Sequence, residues 1–394
     1  MLSPEYLAGI ADDLVELYAE LDDDISADIA RRIVKMGYVT DTAAWQIEKA
    51  REAGALRGDA EKKIAKMANI SEKELERLMA EAGIKSIAYD DAIYKLAGLA
   101  PLGLSKSPAL SAILSRGVDS TQTLLNTYTQ TRALETEVAF RNLSDKAYLQ
   151  IMSGAFDPTT AIRNAIKELA TQDVSKVAYP SGASHGMESA VRRAVTTGVN
   201  QSVSKLQLAR AEEMGCQLVE VSSHAGARPD HAVWQGKIYC ISGKHKRYKD
   251  FYEATGYGTG PGLCGWNCHH SFYPYFEGLS TPSFSRDPSS DMGHDNGKDY
   301  ELSQEQRYME RQIRAAKKEC VTYNAAMEKA DKGTAAEIKK DFDAAAVKLK
   351  RREDKLQTFL DETGRTRLTD RESVPGFGHS VSSKAVWANR KANE

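Results

Sequence analysis

No apolar run in the chain approaches the ~20 residues that cross a bilayer, so no membrane-spanning helix is expected. Cysteine is scarce: five in 394 residues, an odd number, which excludes a disulfide scaffold. With 28 glycines and 11 prolines the chain is neither collagenous nor of low complexity. It also lacks a dominant charge, because 53 Lys and Arg against 55 Asp and Glu leave a net charge of -2. That balance argues against a protein that coats nucleic acid, though a local basic patch stays open. The first residues, MLSPEYLAGIADDL, carry acids where a signal peptide carries positive charge, so a cytosolic origin is expected. There is no Gly-x-Ser-x-Gly elbow, no Walker loop and no His-Glu-x-x-His motif.

What is present is mostly helical pattern. Ile10, Leu14, Leu17 and Leu21 fall on one helix face, and the opposite face is acidic, with no basic residue before Arg31. Short helices are expected next, divided at Gly54, Gly58 and Gly83, with a capping box at Ser71-Glu72-Lys73-Glu74. A long helical region is expected from about Ala109 to Met152, a further helix from Asp157-Pro158 to a turn at Pro180-Ser181-Gly182, and another from Met187 to Met214. Strands are expected at Cys216 to Ser222, Lys237 to Ile241 and His270 to Phe276. Ser280 to Asp299 reads as a linker or an exposed wrap. Beyond it, capping boxes at Ser303 and Thr334 and the near-heptad row Ile338, Phe342, Ala345, Leu349, Leu356, Leu360 predict two helices in a hairpin ending at Gly364.

The expected fold class is therefore mainly α with a small central α+β module rich in Cys and His, a helical N-terminal half and a C-terminal helical hairpin. The expected divisions are a helical region over 1–178, the Cys/His module with its leading helix over 179–278, a linker over 279–302, the hairpin over 303–364 and an extended tail over 365–394.

The central module concentrates the chemistry. Cys216, Cys240, Cys264 and Cys268 share one stretch with His224, His231, His245, His269 and His270. Two motifs stand out: Ser222 to Lys237, with Arg228, Pro229, Trp234 and Gly236, and Gly256 to Pro274, with Asn267 between glycines and cysteines. Thiolates and imidazoles suit Zn²⁺. One ligand set is His224, His231, Cys268 and His270; another exchanges Cys264 for one His. The spacing is that of neither a zinc ribbon nor a finger, and the competing reading, which the spacing favours, makes these residues buried thiols and hydrogen-bonded imidazoles of a loop-rich core. Cys-His catalysis through Cys268 or Cys240 with His231 is a weaker third reading.

Tyr179-Pro180-Ser181-Gly182, the helix Arg192 to Asn200 and these two motifs resemble the tailed-phage minor capsid protein 2 family, itself more distantly similar to phage Mu F-like head-morphogenesis proteins. The resemblance is strongest from Tyr179 to Phe276 and is not extended beyond Gly278. In the Mu F-like pattern the signature falls on His231, Gly236, Asn267, Cys268 and His270, with His269 where the pattern commonly has Arg. The resemblance supplies no catalytic residue. It implies a minor component of the phage head, in the head interior or at the portal vertex, made in the bacterial host cytoplasm. The portal protein and capsid or scaffold proteins are its implied partners, and it would aid head assembly or DNA packaging and delivery. Packaged DNA would need a basic face such as Lys244, Lys246, Arg247 and Lys249, or Arg311, Arg314, Lys317 and Lys318. The reading is therefore a structural protein, not an enzyme. Its rival is a metal-dependent hydrolase or nuclease carried with the head, and a toxin-delivery carrier ranks last.

Overall fold

The computed structural model describes residues 2–39, 41–172, 176–179 and 182–392. Its elements, in chain order, are α1 (Pro4–Gly9), α2 (Asp12–Met36), α3 (Thr42–Leu96), α4 (Pro108–Thr129), α5 (Arg132–Met152), α6 (Pro158–Thr171), β1 (Lys176–Ala178), β2 (Ser184–Gly186), α7 (Met187–Glu213), β3 (Leu218–Val221), α8 (Pro229–Ala232), β4 (Ile238–Cys240), β5 (Lys249–Asp250), α9 (Phe251–Thr255), β6 (Phe272–Tyr275), α10 (Pro288–Asp291), α11 (Asn296–Met327), α12 (Lys332–Thr363) and α13 (His379–Ala392). The fold is predominantly helical with a small mixed α+β region, as the sequence pattern implies. No helix among the described residues is long and apolar enough to cross a membrane.

Several helix boundaries follow the local chemistry. Asp157 caps α6 by accepting from the Thr160 amide, and Pro158 occupies the first helical position, where its missing N–H costs nothing. Gly364 ends α12 in the left-handed conformation. Other expectations are corrected. The short helices expected after Thr42 are one 55-residue helix, α3. Its buried positions keep helical spacing straight through the glycines: Trp45, Ala53, Leu56, Ala60, Met67, Leu75, Leu78, Met79 and Ala82. Gly83 is there for close approach, since a Cβ would lie 2.8 Å from Leu114 Cδ1. Ser71 caps nothing; its buried hydroxyl donates to Gln122 Oε1 at 3.4 Å. The boxes at Ser303 and Thr334 are likewise interior to helices. Asp295 instead accepts from the Lys298 amide at the start of α11, and Asp331 accepts from the Gly333 and Thr334 amides to cap α12. The long region from Ala109 to Met152 breaks into α4 and α5 at Gln130-Thr131. Pro180 and Ser181, of the expected turn, lie outside the described residues.

Two compact units are present, each built from three chain segments. The second holds Glu16–Ala68, Thr127–Glu188 and Glu305–Glu394. Within it Arg163 grips Asp341 through two nitrogens, at 2.6 and 3.0 Å, tying α6 to α12. The stretch expected as an extended tail carries α13, which packs on α12. Val381, Ala385 and Ala388 form its buried stripe. Alanine at two of those three positions gives too weak an apolar period to read from sequence.

The first unit holds Met1–Val15, Asn69–Asn126 and Ser189–Gln304. Its sheet has the order β5-β4-β3-β6, with β3 antiparallel to β4 and β6 and β4 parallel to β5. Val219 and Val221 of β3 face one core with Trp234, Phe251, Leu263 and Phe272, while Leu218 packs with Cys240 and Tyr275. The stretch read as a linker or an exposed wrap is an ordered strap. Ser283 and Phe284 donate their amides to the buried Glu220 carboxylate of β3 at 2.7 and 2.9 Å, and α10 follows.

Candidate metal centre

Two local devices bring the motif residues together. Arg228 and Pro229 start the one-turn helix α8, which presents His231 inward. The glycine-rich loop from Gly256 turns back through Cys264 and Asn267, both at positive φ (57° and 50°), and delivers Cys268 and His270 just before β6. Asn200 of α7 clamps that loop, its Nδ2 donating to the carbonyl oxygens of Cys268 at 2.9 Å and His270 at 3.0 Å. The Asn267 amide donates to Thr197 Oγ1 of α7 at 2.9 Å. Arg228 donates to the carbonyl oxygens of Trp266 and Asn267, at 2.5 and 3.2 Å, and so joins the two motifs. Gly236 is required by space, since a Cβ would lie 2.0 Å from the Ser285 carbonyl oxygen.

The centre itself is His231, Cys268 and His270, which are 2%, 1% and 0% exposed. Cys268 Sγ lies 3.9 Å from His231 Nδ1 and 3.7 Å from His270 Nδ1. The far ring nitrogens settle the tautomers. His231 Nε2 lies 2.9 Å from the Pro261 carbonyl oxygen, which can only accept, so Nε2 carries the proton. His270 Nε2 lies 3.0 Å from Gln235 Oε1, which also accepts the His224 amide at 3.1 Å, so this Nε2 donates too. Both Nδ1 lone pairs are therefore left facing the one sulfur. A carbonyl holding the remote N–H is the outer partner that metal-ligating histidines have. Together the three side chains can coordinate one metal ion.

Burial keeps every member neutral. It lowers His231, and it drives His270 well below the usual imidazole value with help from the neighbouring His224 and His231. It pushes the Cys268 thiol up to about 11 and Cys264 well above its ordinary value. A nucleophilic cysteine needs the opposite, an exposed site that favours thiolate, so Cys268 is poorly placed for Cys-His catalysis.

The other residues singled out by the sequence surround the trio. His224 packs tilted against His270, with ring centroids 4.5 Å apart and planes 30° apart, and its Nδ1 is 2.9 Å from the Ala225 carbonyl oxygen. Cys264 turns its sulfur toward the His270 carbonyl oxygen, at 3.8 Å, and packs in the apolar core. Trp234 sits edge-on to His270 at 4.8 Å. Asn200 and Gln235 were not singled out, although both lie inside the quoted stretches. Nothing in a single sequence marks an amide that serves as a clamp. Asn296 is a third such residue: its side chain both accepts the Ala227 amide and donates to the Ala227 carbonyl oxygen. Of the two basic clusters, the second is largely engaged: Arg314 and Lys318 pair with Glu188, and Lys317 donates to the Glu372 carbonyl oxygen.

With the geometry in place, comparison with known proteins gives a consistent result. The profile of the family described as Phage minor capsid protein 2 matches residues 2–361, well past the Gly278 limit drawn from the motifs. A "Structural protein" of Lactococcus phage LL-H is 27% identical over 180 residues, covering 44% of this chain and 47% of that protein. A "Structural protein" of Lactococcus phage mv4 is 41% identical over 68 residues, covering 17% of this chain and 51% of that protein. The chain thus spans about half the length of these curated relatives. No solved structure matches.

Proposed function

The chain belongs to the phage minor capsid protein 2 family, a family of phage structural proteins rather than enzymes, and on that footing we propose that it is a low-copy head component seated on the portal protein during head assembly. The observation that carries this reading is the family match across residues 2–361, which takes in the helical regions as well as the central module.

A face suited to docking supports it. On α5 the buried side is Ala133, Thr136, Phe140, Leu143 and Ala147. On the opposite side Leu134, Val138, Leu149 and Met152 are 49%, 45%, 65% and 54% exposed. At about 100° per residue these four share an arc of roughly 60°, as two exposed apolar pairs, Leu134 with Val138 and Leu149 with Met152, separated on the same face by Arg141, Asn142 and Asp145. Apolar pairs framed by polar residues suit contact with a partner surface better than contact with water. Packaged DNA is a lesser candidate as partner, because Lys244, Lys246 and Lys249 would have to carry the contact while Arg247 is paired with Glu277.

The test is capture of the purified cognate portal protein by the full chain and by a Leu149→Asp/Met152→Asp variant. Capture by the parent and its loss in a variant of unchanged circular dichroism supports portal docking through α5. Failure of the folded parent to bind portal contradicts it.

A further inference from the structure

We propose that His231 Nδ1, Cys268 Sγ and His270 Nδ1 bind one zinc-like divalent cation as a structural clasp, with water completing the tetrahedron. This goes beyond the portal reading and does not depend on it. A tetrahedral zinc with Zn–S of about 2.3 Å and Zn–N of about 2.0–2.1 Å holds sulfur and nitrogen about 3.6 Å apart. The observed separations are 3.9 and 3.7 Å. All three donor atoms lie within 4.8 Å of one another, so the trio closes on an ion by small rotations of the rings.

The orientation is more telling than proximity. A single S–H can satisfy only one of the two imidazole lone pairs that face it. Both nitrogens are fixed here, by the Pro261 carbonyl and the Gln235 side chain, and both converge on one thiol, with all three donor atoms within 4.8 Å of one another. A cation satisfies all three donors at once. As the sulfur–metal bond forms, the thiol proton leaves to bulk water. One borderline-soft thiolate with two imidazoles favours zinc over calcium or magnesium, which take oxygen ligands.

The role is structural, because the donors are almost fully buried and leave no approach for a polymeric substrate. The ion would join α8 to the loop before β6 across 37 residues of sequence, at the place where Asn200 already holds that loop from α7. Cys264 and His224 are excluded from the ligand set. Cys264 points to a backbone carbonyl, and the His224 Nδ1 lies against the Ala225 carbonyl oxygen at 2.9 Å.

The experiment uses the full chain, purified without a histidine tag, with metal content measured by mass spectrometry and a thermal melt before and after chelation. One zinc per chain is expected, with a fall of several degrees in Tm on chelation. Cys268→Ser should lose the metal, whereas Cys264→Ser and His224→Ala should each retain it. Should Cys268→Ser fail to fold, cobalt titration of the parent chain decides: one equivalent with a thiolate-to-cobalt absorption band is expected. A parent chain that takes up neither zinc nor cobalt, or a folded Cys268→Ser that binds as much as the parent, overturns the proposal.

Discussion

The Asn200 amide nitrogen lies 2.9 Å from the carbonyl oxygen of Cys268, in a place that water does not reach. The same nitrogen serves His270, so one side chain of α7 satisfies two carbonyls of the loop that carries the cluster. Asn200→Leu strands the Cys268 carbonyl and leaves the His270 carbonyl only the weak Cys264 S–H at 3.8 Å. Each buried, unsatisfied group costs about 1–3 kcal/mol, so a loss of about 2–4 kcal/mol is expected in urea unfolding. A loss below 1 kcal/mol would mean that the loop is held chiefly by its own turns.

Arg132 and Asp22 make a buried ion pair at 2.7 Å in the second unit, with side chains only 2% and 3% exposed. Removing one partner leaves a buried charge, so Arg132→Met should cost about 3–5 kcal/mol. The double variant with Asp22→Leu should be markedly more stable than Arg132→Met alone. Additive losses in the thermodynamic cycle would count against the pairing.

The continuous helix α3 separates its glycines by role. Gly54 has open space where a Cβ would stand, so Gly54→Ala should stabilise by about 0.5–1 kcal/mol. Gly83→Ala meets Leu114 and should destabilise instead. Opposite signs in two thermal melts are the check, and a destabilising Gly54→Ala would indicate a helix break at that point.

Stability should also fall as pH rises from about 4 to 8, through Asp90. Burial raises this carboxyl to about 8, against the help of Gln207 Nε2, which donates to it at 3.0 Å; Asp91 pushes the same way as burial and Arg210 opposes it. The unfolded carboxyl titrates near 3.9, so the folded state holds a proton that the unfolded state has released. Its stabilisation is complete below about pH 4 and is lost as pH climbs through the folded value. Asp90→Asn keeps an uncharged acceptor and should lose about 2–4 kcal/mol less than the parent between pH 5 and pH 8. Parallel losses in the two proteins would place the carboxyl in a less buried setting.

Sequence pattern revealed the helical class, the change of character near Gly215, the three strands around the module and the hairpin capped at Gly364, because each rests on a local period or a single special residue. It misled where a local signal was outvoted by packing. Ser71, Ser303 and Thr334 had capping-box spacing yet lie inside helices: buried positions on both sides carry α3 through Ser71, and α11 and α12 have already been started by Asp295 and Asp331. The helix α13 was hidden by a stripe made mostly of alanine, and the strap over β3 by its loop-like composition, although Glu220 orders it. At the candidate centre the donor types were legible. The choice of His231, Cys268 and His270 over His224 and Cys264 was not, because it depends on ring orientation and on carbonyls supplied by Pro261 and Gln235.

The most direct measurement is mass spectrometry of purified proheads and virions after chemical cross-linking. The chain is expected in both at low copy number, with cross-links from α5 to the portal protein. Its absence from proheads and virions alike would contradict a structural role in the head.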